Sequence, residues 1–139
     1  METHQTRDEY DVATAQAVVM LGGAGRILSE AIRSSSGLDV LNDNSAMVAF
    51  LLLWLSGPLR PGEIAEAMNI TTGGSTKVVT KLENNGIVSR LHNSDVDGRA
   101  VVVALTEKGE RVASAVLVAV GEAVRDLMAR LQSLDSSAG

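Results

Sequence analysis

The chain contains no cysteine and only one residue each of tryptophan, tyrosine and phenylalanine. The first absence excludes disulfides, thiolate zinc centres and thiol-based redox sensing, and is compatible with a reducing cytoplasm. The second means that a sequence with 45% hydrophobic but 2% aromatic residues must build its core from Val, Leu, Ala, Ile and Met, which favours packed helices. Histidine is almost as scarce. His4 and His92 lack the paired spacing of a metal site, so neither metal nor cofactor is expected. No Gly-rich phosphate fingerprint follows a strand, and no acid/base carboxylate pair sits isolated in an apolar run, which argues against an enzyme. Targeting and membrane signals are missing too. The N-terminus METHQTRDEYD is polar and acidic, and the longest apolar run, Ala46 to Leu55, is about half the ~20 residues of a membrane span. A soluble cytoplasmic protein with no membrane partner is expected.

A length of 139 residues suits one domain, or a small domain with extensions that need a partner to cover them. The net charge of −5 argues against indiscriminate polyanion binding. Its distribution is uneven: residues 1–56 hold three Lys/Arg against seven Asp/Glu, 57–103 hold five against five, and 104–139 hold four against five. Any nucleic-acid surface is expected in the middle third, which alone escapes the acidic bias.

Asp11 to Arg33 recurs with helical spacing (Ala15, Val18, Val19, Ile27, Ala31) and reads as a helix that Gly22, Gly23 and Gly25 allow to bend. After the break at Ser34–Gly37, a helix from Asn44 to Leu55 has Asn44 and Ser45 as cap candidates and is apolar nearly all round, hence central. Gly57-Pro58 ends it. Pro61 fits the first position of a short helix, with Glu63 in its first turn and Ile64, Ala65 and Met68 facing inward. A further helix starts with Thr71 or Thr72 as N-cap and stops at Asn85-Gly86. Ile87–Leu91 and Ala100–Leu105 form a hairpin with a long polar tip turning at Asp97-Gly98. Thr106-Glu107 opens the last helix, with an apolar face through Val112, Ala113, Val116, Val120, Val124, Leu127 and Leu131, and Asp135–Gly139 reads as a flexible tail. Three segments follow: an N-terminal helical segment at 1–45, a lobe at 46–106, and a C-terminal helix with a short tail at 107–139.

The helix that opens ITTGGSTKVVTKLENNG is the informative one, because Gly73 and Gly74 stand in its first turn, each costing about 1 kcal/mol relative to alanine in a helix interior. At 100° per residue, Gly74, Ser75, Val78, Val79 and Leu82 share one side; Gly73, Thr76, Lys77, Thr80, Lys81 and Asn84 share the other. The second side is suited to entering a DNA groove, with short hydroxyls near base edges and ammonium groups along the backbone. Gly73 then lets DNA approach and Gly74 lets the preceding helix cross closely; the bland alternative is that both merely adjust the turn. Two helices joined by a turn at Asn69, with Ile64, Ala65, Met68, Ile70 and Val78 at the crossing, form a helix-turn-helix in which Ser75 is the poor fit. The hairpin makes it a winged one.

On the stretches GPLRPGEIAEAMNIT, TKVVTKLENNGIVSR and SDVDGRAVVVALTEKG, the chain resembles the MarR family (multiple antibiotic resistance regulators) of winged helix-turn-helix transcription factors. The likeness is carried by Leu59 to Gly109; residues 1–45 agree by pattern alone. It implies a mainly α fold with a small β-hairpin wing, and a winged helix-turn-helix lobe on a dimerisation stem of N- and C-terminal helices. In that arrangement a homodimer presents recognition helices to successive major grooves. The implied DNA-facing set is Thr72, Gly73, Thr76, Lys77, Thr80 and Lys81, with Arg99 at the wing tip, Asp97 holding the wing in shape, and Arg90 as a structural or backbone-contacting partner. Three departures lower the expected affinity: Lys77 replaces a frequent arginine, Gly73 and Gly74 replace frequent hydroxyl residues, and Gly98 replaces a frequent basic one.

Met47, Phe50 and Trp54 on the central helix read either as core or as the lining of a ligand cavity. The function expected is therefore a repressor that binds a pseudo-palindromic duplex operator as a homodimer and is released by a small apolar or phenolic effector. The alternative is a winged-helix protein-interaction module that has lost DNA binding.

Overall fold

The computed structural model describes residues 2–93 and 100–138. Helix α1 (Glu2–Ser36) runs unbroken through Gly22, Gly23 and Gly25 and begins well ahead of Asp11. Once nucleated, a helix gains one hydrogen bond per residue, so it extends through polar and glycine positions that show no apolar recurrence. Gly37 ends it in the left-handed region (φ 64), its N–H bonded to the Arg33 carbonyl at 3.1 Å. A 3₁₀ turn at Asp39–Asn42, not foreseen from sequence, buries Leu41.

Helix α2 (Asn44–Ser56) is capped by Asp43, not by Asn44 or Ser45: the Asp43 carboxylate accepts the Ser45 N–H at 3.2 Å. One face of α2 is central, burying Ala46, Met47, Ala49, Phe50 and Leu53. The other is open, with Val48, Trp54 and Leu55 exposed. Helix α3 (Pro61–Met68) starts as expected, with proline in its first turn and Glu63 accepting the Arg60 N–H at 2.9 Å. Asn69 turns the chain in the left-handed region (φ 54) into α4 (Thr72–Asn84).

The strands β1 (Val88–Asn93) and β2 (Ala100–Leu105) pair antiparallel with Val88 opposite Leu105. Leu59 adds a one-residue strand, exchanging both backbone bonds with Val103. Helix α5 (Glu107–Ala138) continues past Asp135, so the expected tail is helical through Ala138.

Phe50, Leu53, Ile64, Val79, Leu82, Ile87, Val103 and Val116, all 2% exposed or less, form the lobe's core. Helix α1 lies along α5. By length and composition, Glu9–Ser36 of α1 also passes as a membrane span, which a search for uninterrupted apolar runs misses because Thr14, Gln16 and the glycines dilute it. Its exposed apolar side chains include Tyr10, Val12, Val18, Val19 and Leu21.

Besides Ala113 and Val116, which α5 buries in the core, the start of α5 is tied to the lobe by polar and backbone contacts. The end of α4 is closed by a double backbone bond, Ile87 N–H to Leu82 O (3.3 Å) and Gly86 N–H to Glu83 O (2.9 Å), with Gly86 at φ 72. Thr106 Oγ1 donates to Gly86 O at 2.6 Å and accepts the Gly109 N–H at 3.0 Å, so one hydroxyl caps α5 and ties it to α4. Lys108 Nζ adds a bond to Asn85 O at 3.0 Å. Gly109 packs so closely that an added Cβ would lie 2.1 Å from the Ile87 carbonyl oxygen. Neither backbone segment can yield cheaply. Gly109→Ala is therefore expected to lower stability by about 2–3 kcal/mol through overpacking, read as an earlier urea midpoint with an unchanged slope; a wild-type midpoint would refute the close approach.

Candidate nucleic-acid interface

Helix α4 owes its orientation to contacts on its inner side. Val78, Val79 and Leu82 are buried in the lobe core, and so is Ser75, at 0% exposure. Ser75 is not a misfit: its hydroxyl donates to the Pro61 carbonyl at 2.9 Å, so a buried polar group is satisfied while the start of α4 is fixed to the start of α3. A branched apolar residue would fill the space without that directional bond. Thr71 is the N-cap, its hydroxyl accepting the Gly74 N–H at 3.0 Å. A Cβ on Gly74 would meet that same hydroxyl at 3.2 Å, so Gly74 relieves the cap rather than the crossing with α3. A Cβ on Gly73 would meet nothing within 4 Å.

On the outer side Thr72, Gly73, Thr76, Lys77, Thr80 and Lys81 are all exposed. They are not equally free. Thr76 and Thr80 donate their hydroxyls back to the helix, to Thr72 O (3.0 Å) and Thr76 O (2.8 Å). Lys81 Nζ pairs with Asp43 Oδ2 at 3.4 Å. Lys77 has no ion-pair or hydrogen-bond partner among the described residues.

Arg90, on β1, turns its side chain back onto α4. Its guanidinium donates to Glu83 Oε1 (2.5 Å), to Thr80 Oγ1 (3.1 Å) and to Thr76 O (3.4 Å). Those three acceptors lie along two turns of one helix face, so the planar fork of arginine braces the base of the wing against α4. Arg90 therefore has a structural role, one of the two that the resemblance allowed. The same contact occupies Thr80, whose hydroxyl both donates and accepts. Glu83 and Asp43 were not singled out from sequence. A Glu seven residues before Arg90 on an adjoining element gave no local signal, because the pairing depends on the turn at Gly86. Asp97 and Arg99 lie outside the described residues.

Met47 and Phe50 are packed into the core at 7% and 0% exposure, whereas Trp54 is 43% exposed. An open cleft of about 510 Å³ lies where α1 meets the 3₁₀ turn, lined by Gly22, Gly25, Arg26, Ser29, Glu30, Arg33 and Asn42. Among the described residues no cluster of His, Cys, Asp or Glu is arranged to hold a metal.

Residues 44–101 match the MarR family model. Two curated relatives come from Bacillus subtilis strain 168, and both are described as uncharacterized HTH-type transcriptional regulators. YfiV is 38% identical over 66 residues, covering 48% of this chain and 41% of its own. YcgE is 28% identical over 112 residues, covering 81% of this chain and 70% of its own. The chain thus spans less than half of the first relative and more than two thirds of the second. Among solved structures, Sco3205 of Streptomyces coelicolor, a MarR family transcriptional regulator in complex with DNA, superposes with a TM-score of 0.69 at 21% identity, over 92% of this chain and 85% of its own. At that identity the likeness establishes the winged-helix fold.

Ser75→Ala should leave the Pro61 carbonyl short of one bond and lower stability by about 1 kcal/mol. Arg90→Lys, which keeps charge but loses the fork, should speed hydrogen exchange at the β1 amides while sparing α3. Unchanged exchange in the hairpin would remove the brace.

Proposed function

Because residues 44–101 match the MarR family model, we propose that the protein is a DNA-binding transcriptional regulator that occupies a pseudo-palindromic duplex operator as a homodimer and acts as a repressor. The observation that carries this reading is the division of α4. Its inner side is fixed by buried Ser75, Val78, Val79 and Leu82, while Gly73, Thr76 and Lys77 are exposed on its outer side. A rigid helix with short side chains at its N-terminal end fits a major groove, its first N–H groups can hold a phosphate, and Lys77 supplies an unpaired cation. Arg99 and Asp97 on the wing complete the proposed site.

A second copy is the natural cover for the stem. Val18, Val19 and Leu21 on α1 and Val118, Val124 and Met128 on α5 are exposed apolar side chains, and patches of that extent mark interfaces. Two lobes related by a two-fold axis would read half-sites about 10 base pairs apart. An effector that alters lobe spacing belongs to the same reading. The cleft at α1 and the 3₁₀ turn is lined by Arg26, Glu30, Arg33 and Asn42, so it suits a hydrogen-bonding ligand such as a phenol better than a purely apolar one. A cytoplasmic location goes with this role.

One observation favours the rival reading, a protein-interaction module without DNA binding: Lys81 and Arg90 both face carboxylates of their own chain. Gel retardation separates the two. Selected duplex DNA should be shifted at low salt, with affinity falling steeply as salt rises, and Lys77→Ala and Arg99→Ala should each reduce the logarithmic salt slope by about 1. Absence of a shift at low salt would instead support the module. For the stem, light scattering should report a dimer, and Val19→Glu should shift it towards monomer; a wild-type monomer would remove the two-lobed geometry.

A further inference from the structure

We propose that Asp43 is a built-in competitor of the DNA backbone for Lys81, so that its carboxylate sets how tightly the protein holds DNA. The proposal rests on the DNA-binding reading above. Asp43 is held in place from three sides. Its N–H bonds to Val40 O at 3.2 Å, closing the 3₁₀ turn; its Oδ1 accepts the Ser45 N–H at 3.2 Å, capping α2; and its Oδ2 meets Lys81 Nζ at 3.4 Å. The backbone bond and the cap hold the carboxylate beside Lys81 when a polyanion arrives.

Lys81 lies on the exposed face of α4, one helical turn beyond Lys77, where a phosphate would seek its ammonium. The two side chains are 59% and 38% exposed, so the pair is in contact with solvent and weak enough to exchange. Moving Lys81 to a phosphate has two costs. It breaks the pair, and it leaves the Asp43 carboxylate uncompensated beside the incoming negative charge.

The test isolates the charge. Asparagine caps helices as well as aspartate does, so Asp43→Asn keeps the α2 cap and removes the carboxylate's charge; Asp43→Ser provides a second neutral cap. Wild type, Asp43→Asn, Lys81→Ala and the double variant are titrated with one duplex that the wild-type protein selects from a random-sequence pool, at several salt concentrations. Asp43→Asn should tighten binding about two- to fivefold at low salt, the range expected for an exposed pair, with the gain shrinking as salt rises. In the Lys81→Ala background the same substitution should change nothing. Equal tightening with and without Lys81 would reveal a general charge effect and overturn the proposal, as would no tightening by either neutral cap in a folded protein. Failure of all four proteins to bind DNA at low salt would overturn the DNA-binding reading itself, an outcome distinct from binding without coupling.

Discussion

The contact between Gly109 and the Ile87 carbonyl is the constraint from which the geometry of the lobe follows. Four elements meet there: the C-terminus of α4, the start of β1, the end of β2 and the first turn of α5. Side chains alone would leave such a junction adjustable. Here backbone touches backbone, and the Thr106 hydroxyl bonds both segments at once, so a rotation of α5 must carry α4 with it. Packed interiors transmit displacement because they have little free volume to absorb it. In the proposed dimer, a stem helix joined in this way to the helix that carries Thr76 and Lys77 would make lobe spacing a property of the stem. That is the mechanical requirement for any regulator whose two lobes must match one duplex.

The remaining contacts of α4 divide its labour between shape and charge. Ser75 on Pro61 and Arg90 on Glu83, Thr80 and Thr76 fix the helix at its N-terminal and middle turns by directional bonds. Both use polar groups at the margin of an aliphatic core that has few large side chains with which to lock orientation. With a single phenylalanine, already buried in α2, aliphatic packing supplies cohesion and the hydrogen bonds supply the angle.

What the sequence made legible was whatever depends on local periodicity or on one residue's backbone preference. The inner and outer sides of α4, proline at the start of α3, Asn69 at the turn, Gly86 at the stop and Thr106 ahead of α5 are of this kind, and the structure has each of them as read. What escaped were features requiring two distant segments to meet. Leu59 joining β2, Asp43 reaching Lys81, Glu83 reaching Arg90 and the closeness of Gly109 to Ile87 cannot be seen by counting residues. Gly74 was read as relief for a helix crossing because its place on the inner side was visible, whereas the geometry of the Thr71 cap, which it serves, was not. For the candidate site this means that the exposed positions were identified but their availability was not. Of Lys77, Lys81 and Arg90, only Lys77 has no partner among the described residues.

That distinction reshapes the electrostatic argument. In the proposed function, an acidic chain with a net charge of −5 would bring its few cations to DNA against a repelling background. Carboxylates placed beside Lys81 and Arg90 reduce the attraction further, so a lobe of this kind gains little from non-specific contact. Weak binding by each lobe is no defect in a two-lobed protein. When one lobe is seated, the second binds at the high effective concentration set by the stem, and the product of two modest affinities becomes sensitive to their spacing. If each lobe held DNA tightly alone, displacing one from register would release nothing. In the proposed dimer, the paired cations and the close junction at Gly109 would thus serve the same end: low intrinsic attraction would make occupancy depend on geometry, and the junction would give that geometry to the stem.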